Sequence, residues 1–195
     1  MKLMNTALVA LGLAVSYVQA VPATVGGLTL YKLKASNDSM FAGRYLALRN
    51  NIVGLYEDDA SPVQVYQSNS QKPGCKELHT FPIGIVDHSL GLVGQPGFLS
   101  FTDMVNPEGL KPGVVKPGDS NDEADVFYWN TFVVDNHHML TDSSPGLWRA
   151  YPSTGDNFGD GNWEVKWVSG DMITTEDYMP IRIEMEAAGN GQYSR

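Results

Sequence analysis

The sequence lacks paired cysteines. Cys75 is the single cysteine in 195 residues, so no disulfide can form within the chain, and the core alone must stabilise the fold. The Cys75 thiol is either buried or tolerated in its loop region, or it forms one half of an intermolecular bridge. His79 is close in sequence, but proximity along a strand-rich chain does not make a catalytic pair.

Positive charge is also scarce. The chain has 13 lysines and arginines against 22 aspartates and glutamates, which gives a net charge of −9. Lysine and arginine clusters that bind phosphates are missing, so nucleic acid and anionic membranes are excluded as expected partners. An acidic surface favours solubility outside the cell.

The common catalytic and metal-binding motifs are missing too. Gly-x-Ser-x-Gly does not occur, so the sequence gives a serine hydrolase no support. The run from Asp156 resembles a calcium loop, but Phe158 and Trp167 occupy positions that need oxygen ligands. His137 and His138 are neighbours on a predicted strand and point to opposite faces. We therefore predict no catalytic residue, no metal site and no cofactor.

Only the first twenty residues carry an apolar run, and this run is too short to span a membrane, which takes about 20 residues. Lys2 precedes the run at residues 7–15, and Val18-Gln19-Ala20 fits a small-x-small cleavage site. This pattern predicts a secretory signal peptide at residues 1–20. The mature protein is then expected outside the cell or in a cell wall, with no membrane contact after cleavage.

Short strand patterns fill the rest of the chain, punctuated by 20 glycines and 11 prolines. Residues 28–33 and 181–186 alternate apolar with polar side chains. Trp163, Val165 and Trp167 share one strand face, which we interpret as core. No segment after residue 20 shows helical periodicity. Residues 67–76 and 106–125 are predicted to be surface loops.

Three segments also repeat one pattern at nearly constant spacing. Residues 85–101 and 133–151 match closely, and residues 43–56 give a shorter echo. This predicts one all-β domain at residues 25–186, a pseudo-threefold β-trefoil-like barrel, with a two-sheet β-sandwich as the alternative. In the trefoil, Leu48, Leu92 and Leu140 are equivalent core residues, and the first and last strands are neighbours. Residues 187–195 are predicted to be a flexible tail.

Two sites are predicted on the surface. Asn37-Asp38-Ser39 is an N-glycosylation sequence, so Asn37 is expected to carry a glycan. Glycan binding usually needs an exposed aromatic face beside amide or carboxylate groups. One region combines them, and its candidate residues are Trp148, Tyr151, Asp156, Asn157, Asp160 and Asn162. The alternative is that Trp148 belongs to the core and the following loop is only a turn.

The repeat also carries a family resemblance. The segment from Gly43 to Tyr56 resembles the hairpin repeat of β-trefoil proteins, which include actin-bundling trefoils and many lectins. The strand exit at residues 33–37, the hairpin with Leu99-Ser100-Phe101 and the strand at 163–170 resemble small secreted proteins of filamentous fungi. These are the phialide-type cell-wall proteins and related IgE-binding antigens. The resemblance implies an extracellular or wall-associated protein without established catalysis.

Three function classes follow. The first is a non-enzymatic extracellular or cell-wall-associated protein that binds glycan, with cell-wall polysaccharide as partner. The second is a secreted effector or antigen that contacts a host protein, which a contiguous exposed apolar patch would favour. The third is a secreted hydrolase, which would need catalytic groups to converge in a cleft. The oligomeric state stays open.

Overall fold

The computed structural model describes residues 24–25, 28–36, 40–57, 60–82, 87–105, 115–116, 125–141, 145–153 and 161–188. Within these residues the protein is all-β, as predicted, with sixteen strands in one hydrogen-bonded sheet and no helix. In this part of the chain no helix is long and apolar enough to cross a membrane. Residues 1–20 and Asn37 lie outside the described residues.

The strands are short and are numbered in chain order. The first half contains β1 (Thr24–Val25), β2 (Leu28–Ser36), β3 (Ala47–Arg49), β4 (Ile52–Leu55), β5 (Gln64–Asn69), β6 (Lys76–Phe81), β7 (His88–Gln95) and β8 (Phe98–Val105). The second half contains β9 (Val115–Lys116), β10 (Asp125–Tyr128), β11 (Phe132–Asp135), β12 (His138–Thr141), β13 (Gly146–Pro152), β14 (Trp163–Ser169), β15 (Met179–Pro180) and β16 (Arg182–Ala187).

Six of these strands form a closed series of antiparallel pairings. Following hydrogen-bonded neighbours from β2 through β5, β6, β11, β12 and β16 returns to β2. The pairing of β2 with β16 extends from Ser36 opposite Arg182 to Tyr31 opposite Ala187. The prediction that the opening and closing strands are neighbours is therefore confirmed.

Three hairpins pair with one another beside this series. They are β3–β4, β7–β8 and β13–β14. β4 pairs with β8, β14 pairs with β4, and β14 also pairs with β8. Each hairpin thus contacts the other two through one of its strands.

The third predicted hairpin is wrong in its position. Asn136 and His137 have φ angles of 46° and 69° and form the two-residue turn between β11 and β12, a conformation that favours Asn. The matching residues of the earlier copy, His88 and Ser89, instead belong to β7. β13 pairs with β14 and β15, so residues 133–151 do not form one hairpin.

The predicted equivalence of three leucines is wrong for the same reason. Leu92 is fully buried on β7, and Leu48 is half-buried against the core. Leu140 lies on β12 and is 45% exposed. The sequence repeat aligns β7, which belongs to the β7–β8 hairpin, with β12, which belongs to the closed series of strands. Leu140 therefore faces a different environment from Leu92.

The core follows the alternation along the strands. Trp163, Val165 and Trp167 on β14 are buried, as predicted. Ile183 and Met185 on β16 point inward in the same way. The aromatic rings pack edge to face, with the centroids of Trp148 and Trp167 5.1 Å apart.

Several predicted boundaries need correction. The loop predicted at residues 67–76 is shorter, because β5 continues to Asn69 and β6 begins at Lys76. Ala187 ends β16, and the N–H of Ala188 donates to the carbonyl of Leu30 at 2.9 Å. The predicted tail therefore starts too early, and residues 189–195 lie outside the described part. Residues 106–114 and 117–124 of the second predicted loop also lie outside it.

The thiol of Cys75 is buried, which is one of the two alternatives expected from the sequence.

Candidate functional site

The two aromatic residues of the predicted glycan site are buried. Trp148 is 2% exposed, and its indole N–H donates to the carbonyl of Met139 at 2.7 Å. Tyr151 is 1% exposed and packs between Phe98 and Tyr178. The prediction of exposed ring faces is wrong at both positions, because neighbouring aromatic rings pack against both side chains.

The polar residues of that predicted site are only partly described. Asp156, Asn157 and Asp160 lie outside the described residues. Asn162 is half-buried just before β14, and its carbonyl accepts a hydrogen bond from the N–H of Ser153 at 3.0 Å. The structure therefore brings Trp148, Tyr151 and Asn162 into no exposed site.

A polar cluster that the sequence reading missed lies on the β5–β6–β7 face. Cross-strand partners on this face are Tyr66 with His79, Ser68 with Glu77, and His79 with Ser89. Side chains two residues apart on one strand share a face, and paired residues share it too. The signal in the sequence was the alternation of Tyr66 with Ser68 and of Glu77 with His79 on either side of a short turn.

The centre of this cluster is the imidazole of His79. The hydroxyl oxygen of Ser68 lies 2.9 Å from Nε2, and Oδ2 of Asp87 lies 2.9 Å from Nδ1. The hydroxyl of Ser89 lies 3.3 Å from Nδ1. A hydroxyl, an imidazole and a carboxylate in this order form the arrangement that activates a serine for nucleophilic attack.

Neighbouring groups fix the ring and the carboxylate. Tyr66 stacks on His79 with centroids 5.0 Å apart and 13° between the planes, and its hydroxyl donates to Oδ1 of Asp87 at 3.4 Å. Oε2 of Glu77 lies 3.7 Å from Nε2. Burial raises the pKa of Glu77, and the charge of Asp87 adds to this while His79 opposes it. Burial and Asp87 also raise the pKa of Tyr66.

A second histidine–carboxylate pair lies nearby. Nδ1 of His88 is 3.0 Å from Oδ2 of Asp103, and the hydroxyl of Thr80 donates to Oδ1 at 3.1 Å. Here the hydroxyl contacts the carboxylate rather than the imidazole. The pair therefore resembles the first in composition but not in order.

A separate apolar pocket opens between β12, β13 and β16. Its volume is about 180 Å³, and its lining includes His138, Leu140, Leu147, Trp148 and Arg182. Two of these residues are well exposed, Leu147 at 61% and Leu140 at 45%. The pocket can accept a small apolar group.

Two further exposed apolar residues lie in the segment after β14. Met172 and Ile173 follow β14, and both are exposed. The N–H of Gly170 donates to the carbonyl of Pro145, which brings this segment to the start of β13. We call Leu140, Leu147, Met172 and Ile173 the apolar patch.

Comparison with known proteins leaves the site to be interpreted from its own geometry. No family model, no curated protein and no solved structure matches the chain. Among the residues the structure describes, no three His, Cys, Asp or Glu side chains come together to hold a metal ion.

Proposed function

We propose that the strands form a β-trefoil-like barrel with pseudo-threefold symmetry. The support is the closed series of six pairings together with three hairpins that pair with one another. Each third of the chain then supplies two strands of the series and one hairpin, and the short strands β1, β9, β10 and β15 are additions to this pattern. The thirds begin at β2, β6 and β12, so the turn at Asn136 separates two repeats rather than lying inside one.

We propose that this domain is an extracellular binding protein that contacts a partner protein through the apolar patch. The observation that carries the proposal is the pair of exposed leucines at the mouth of the pocket. Exposed contiguous apolar surface is costly in water and commonly marks an interaction site. A binding role of this kind needs no chemical step.

A protein partner fits this surface better than a polysaccharide. A sugar ring offers hydroxyls and a C–H face, and its usual support is an exposed aromatic ring with amides around it. The aromatic rings proposed for that task, Trp148 and Tyr151, are buried. The exposed apolar side chains at the pocket are the aliphatic Leu140 and Leu147, whereas the tryptophans in its lining are buried. Binding to cell-wall polysaccharide stays a prediction of the sequence.

The test compares the patch with an equally exposed apolar residue elsewhere. The apolar dye anilinonaphthalene sulfonate should gain fluorescence on the folded protein, and the double variant L140N/L147N should lose most of that gain. Val105→Asn is the matched control, since Val105 is 50% exposed at the end of β8. Equal fluorescence from both variants would contradict the patch. Retention on chitin, β-glucan or mannan by both variants would favour the polysaccharide instead.

Secretion is proposed from the first twenty residues and has its own test. Expression in a secreting host should release a protein whose amino terminus is Val21, because cleavage is expected after Ala20. Edman sequencing or intact mass spectrometry of the medium measures this. Retention inside the cell with residues 1–20 still attached would contradict the proposal.

A further inference from the structure

Partner binding does not explain why Ser68, His79 and Asp87 lie together. Ser68 and His79 are placed by the register between β5 and β6, and Asp87 directly precedes β7. Both ring nitrogens of His79 are engaged, Nε2 by a hydroxyl and Nδ1 by a carboxylate. We infer that Ser68 is an activated nucleophile and that the cluster hydrolyses carboxylic esters.

The chemistry requires one tautomer of His79. When the proton is on Nδ1, the Nδ1–H group donates a hydrogen bond to Asp87. The lone pair of Nε2 then faces the hydroxyl of Ser68 at 2.9 Å. His79 then acts as a general base, and Asp87 is a positioning residue that holds the ring and stabilises the imidazolium.

The reaction balances with water as the only co-reactant. The oxygen of Ser68 attacks the ester carbonyl carbon while its proton moves to Nε2 of His79. The bond from that carbon to the leaving oxygen then breaks, and the imidazolium returns the proton to this oxygen, which releases an alcohol. Water next attacks the acyl group on Ser68 and gives its proton to Nε2. The acid leaves and Ser68 regains its proton, with no oxidation or reduction.

Acidic and aromatic side chains surround the His79 ring. Glu77 lies 3.7 Å from Nε2, and Asp87 contacts Nδ1, so two carboxylates flank the ring. Stacking by Tyr66 covers one face of His79 and limits its rotation. His79 is buried, whereas Ser68 is half-buried and precedes the exposed turn at residues 71–74. Ser68 is therefore more accessible to a substrate than the imidazole that acts as its base.

The experiment uses a serine-directed fluorophosphonate and 4-nitrophenyl acetate on the folded chain. The probe should form one adduct, and peptide mass spectrometry should locate it at Ser68. Ser68→Ala should lose the adduct and the ester hydrolysis. His79→Gln should lower the labelling rate by about 10²- to 10⁴-fold, since general-base catalysis contributes that much.

Two matched controls separate the mechanism from a change in folding. Ser100→Ala removes a hydroxyl from β8, and His88→Gln removes a second carboxylate-paired histidine. Both should be labelled like the unmodified protein. Asp87→Asn should lower the labelling rate, because the ring then loses the carboxylate that orients it. The idea is overturned if the unmodified protein gains no adduct at Ser68, or if His79→Gln reacts equally fast. Neither result bears on the apolar patch, which the dye experiment tests separately.

Discussion

At the scale of single residues, burial decides how much a side chain contributes to stability. Leu92 is fully buried in the core, so Leu92→Ala should lower the free energy of unfolding by about 2 to 5 kcal/mol. Leu147→Ala removes the same atoms from an exposed side chain and should change it by less than about 0.5 kcal/mol. Urea denaturation measures both. Similar losses in the two variants would contradict the assigned core.

A polar cluster between β2 and β16 should make stability depend on pH. Nζ of Lys34 donates to Glu186 at 2.9 Å, and the hydroxyl of Tyr45 donates to the same carboxylate at 2.8 Å. These bonds, with that from Lys34 the stronger cause, lower the pKa of Glu186 below its usual 4.5. Its contribution is therefore present above pH 4.5 and is lost as pH falls through the lowered value.

The same ion pair shifts the pKa of Lys34 in the opposite direction, so the contribution of the lysine changes at high pH. Its bond to Glu186 raises the pKa of Lys34 above 10.5, so that contribution is lost only as pH rises through the raised value. The pair is partly exposed, which limits its value to about 0.2 to 1 kcal/mol.

Replacing the carboxylate tests this cluster. Glu186→Gln should destabilise the protein slightly at pH 7, and the difference from the unmodified protein should shrink as pH falls well below 4.5. Glu176→Gln, in the exposed segment after β14, is the control and should show no such trend. Urea midpoints at several pH values give the comparison, and a constant difference across them would count against the ion pair.

At the scale of elements, close approach of the hairpins sets a limit on side-chain size. A Cβ at Gly54 on β4 would overlap the carbonyl oxygen of Trp163 on β14 and lie 2.6 Å from the ring of Tyr56. Gly54→Ala should therefore push β4 and β14 apart and cost about 1 to 3 kcal/mol. A Cβ at Gly170 would contact nothing within 4 Å, so Gly170→Ala is the control. Equal thermal midpoints for the two variants would exclude the tight packing.

The elements also show what the sequence could and could not predict. Alternation along β14 and β16 gave the buried faces, because half-buried strands repeat every two residues. The similarity of the two segments led to the wrong position for the third hairpin. Asp87 precedes β7, whereas the matching Asp135 ends β11 just before a two-residue turn. The cluster at His79 was missed because its members meet through register, which depends on the length of the turn between β5 and β6. Exposure of Trp148 could not be judged without knowing what covers each face of β13.

At the scale of the whole molecule, the fold is closed by strands from opposite ends of the chain. β16 pairs with β2 on one side and with β12 on the other. It also buries Ile183 and Met185. Most stabilising contacts of this strand are therefore remote in sequence, which predicts slow folding and one cooperative unit rather than three independent repeats.

Truncation gives the sharpest test of that closure. A chain that ends at residue 181 lacks β16, so β2 and β12 lose a hydrogen-bonded neighbour and the core is opened to water. We expect it to show no cooperative urea transition and a weak near-ultraviolet circular dichroism signal from its tryptophans. A chain that ends at residue 188 keeps every described pairing of β16, including the bond from Ala188 to Leu30. It should unfold like the full-length protein. A cooperative transition in the shorter chain at the same urea concentration would show that the opening strand does not need its partner, and would contradict the closed series of strands.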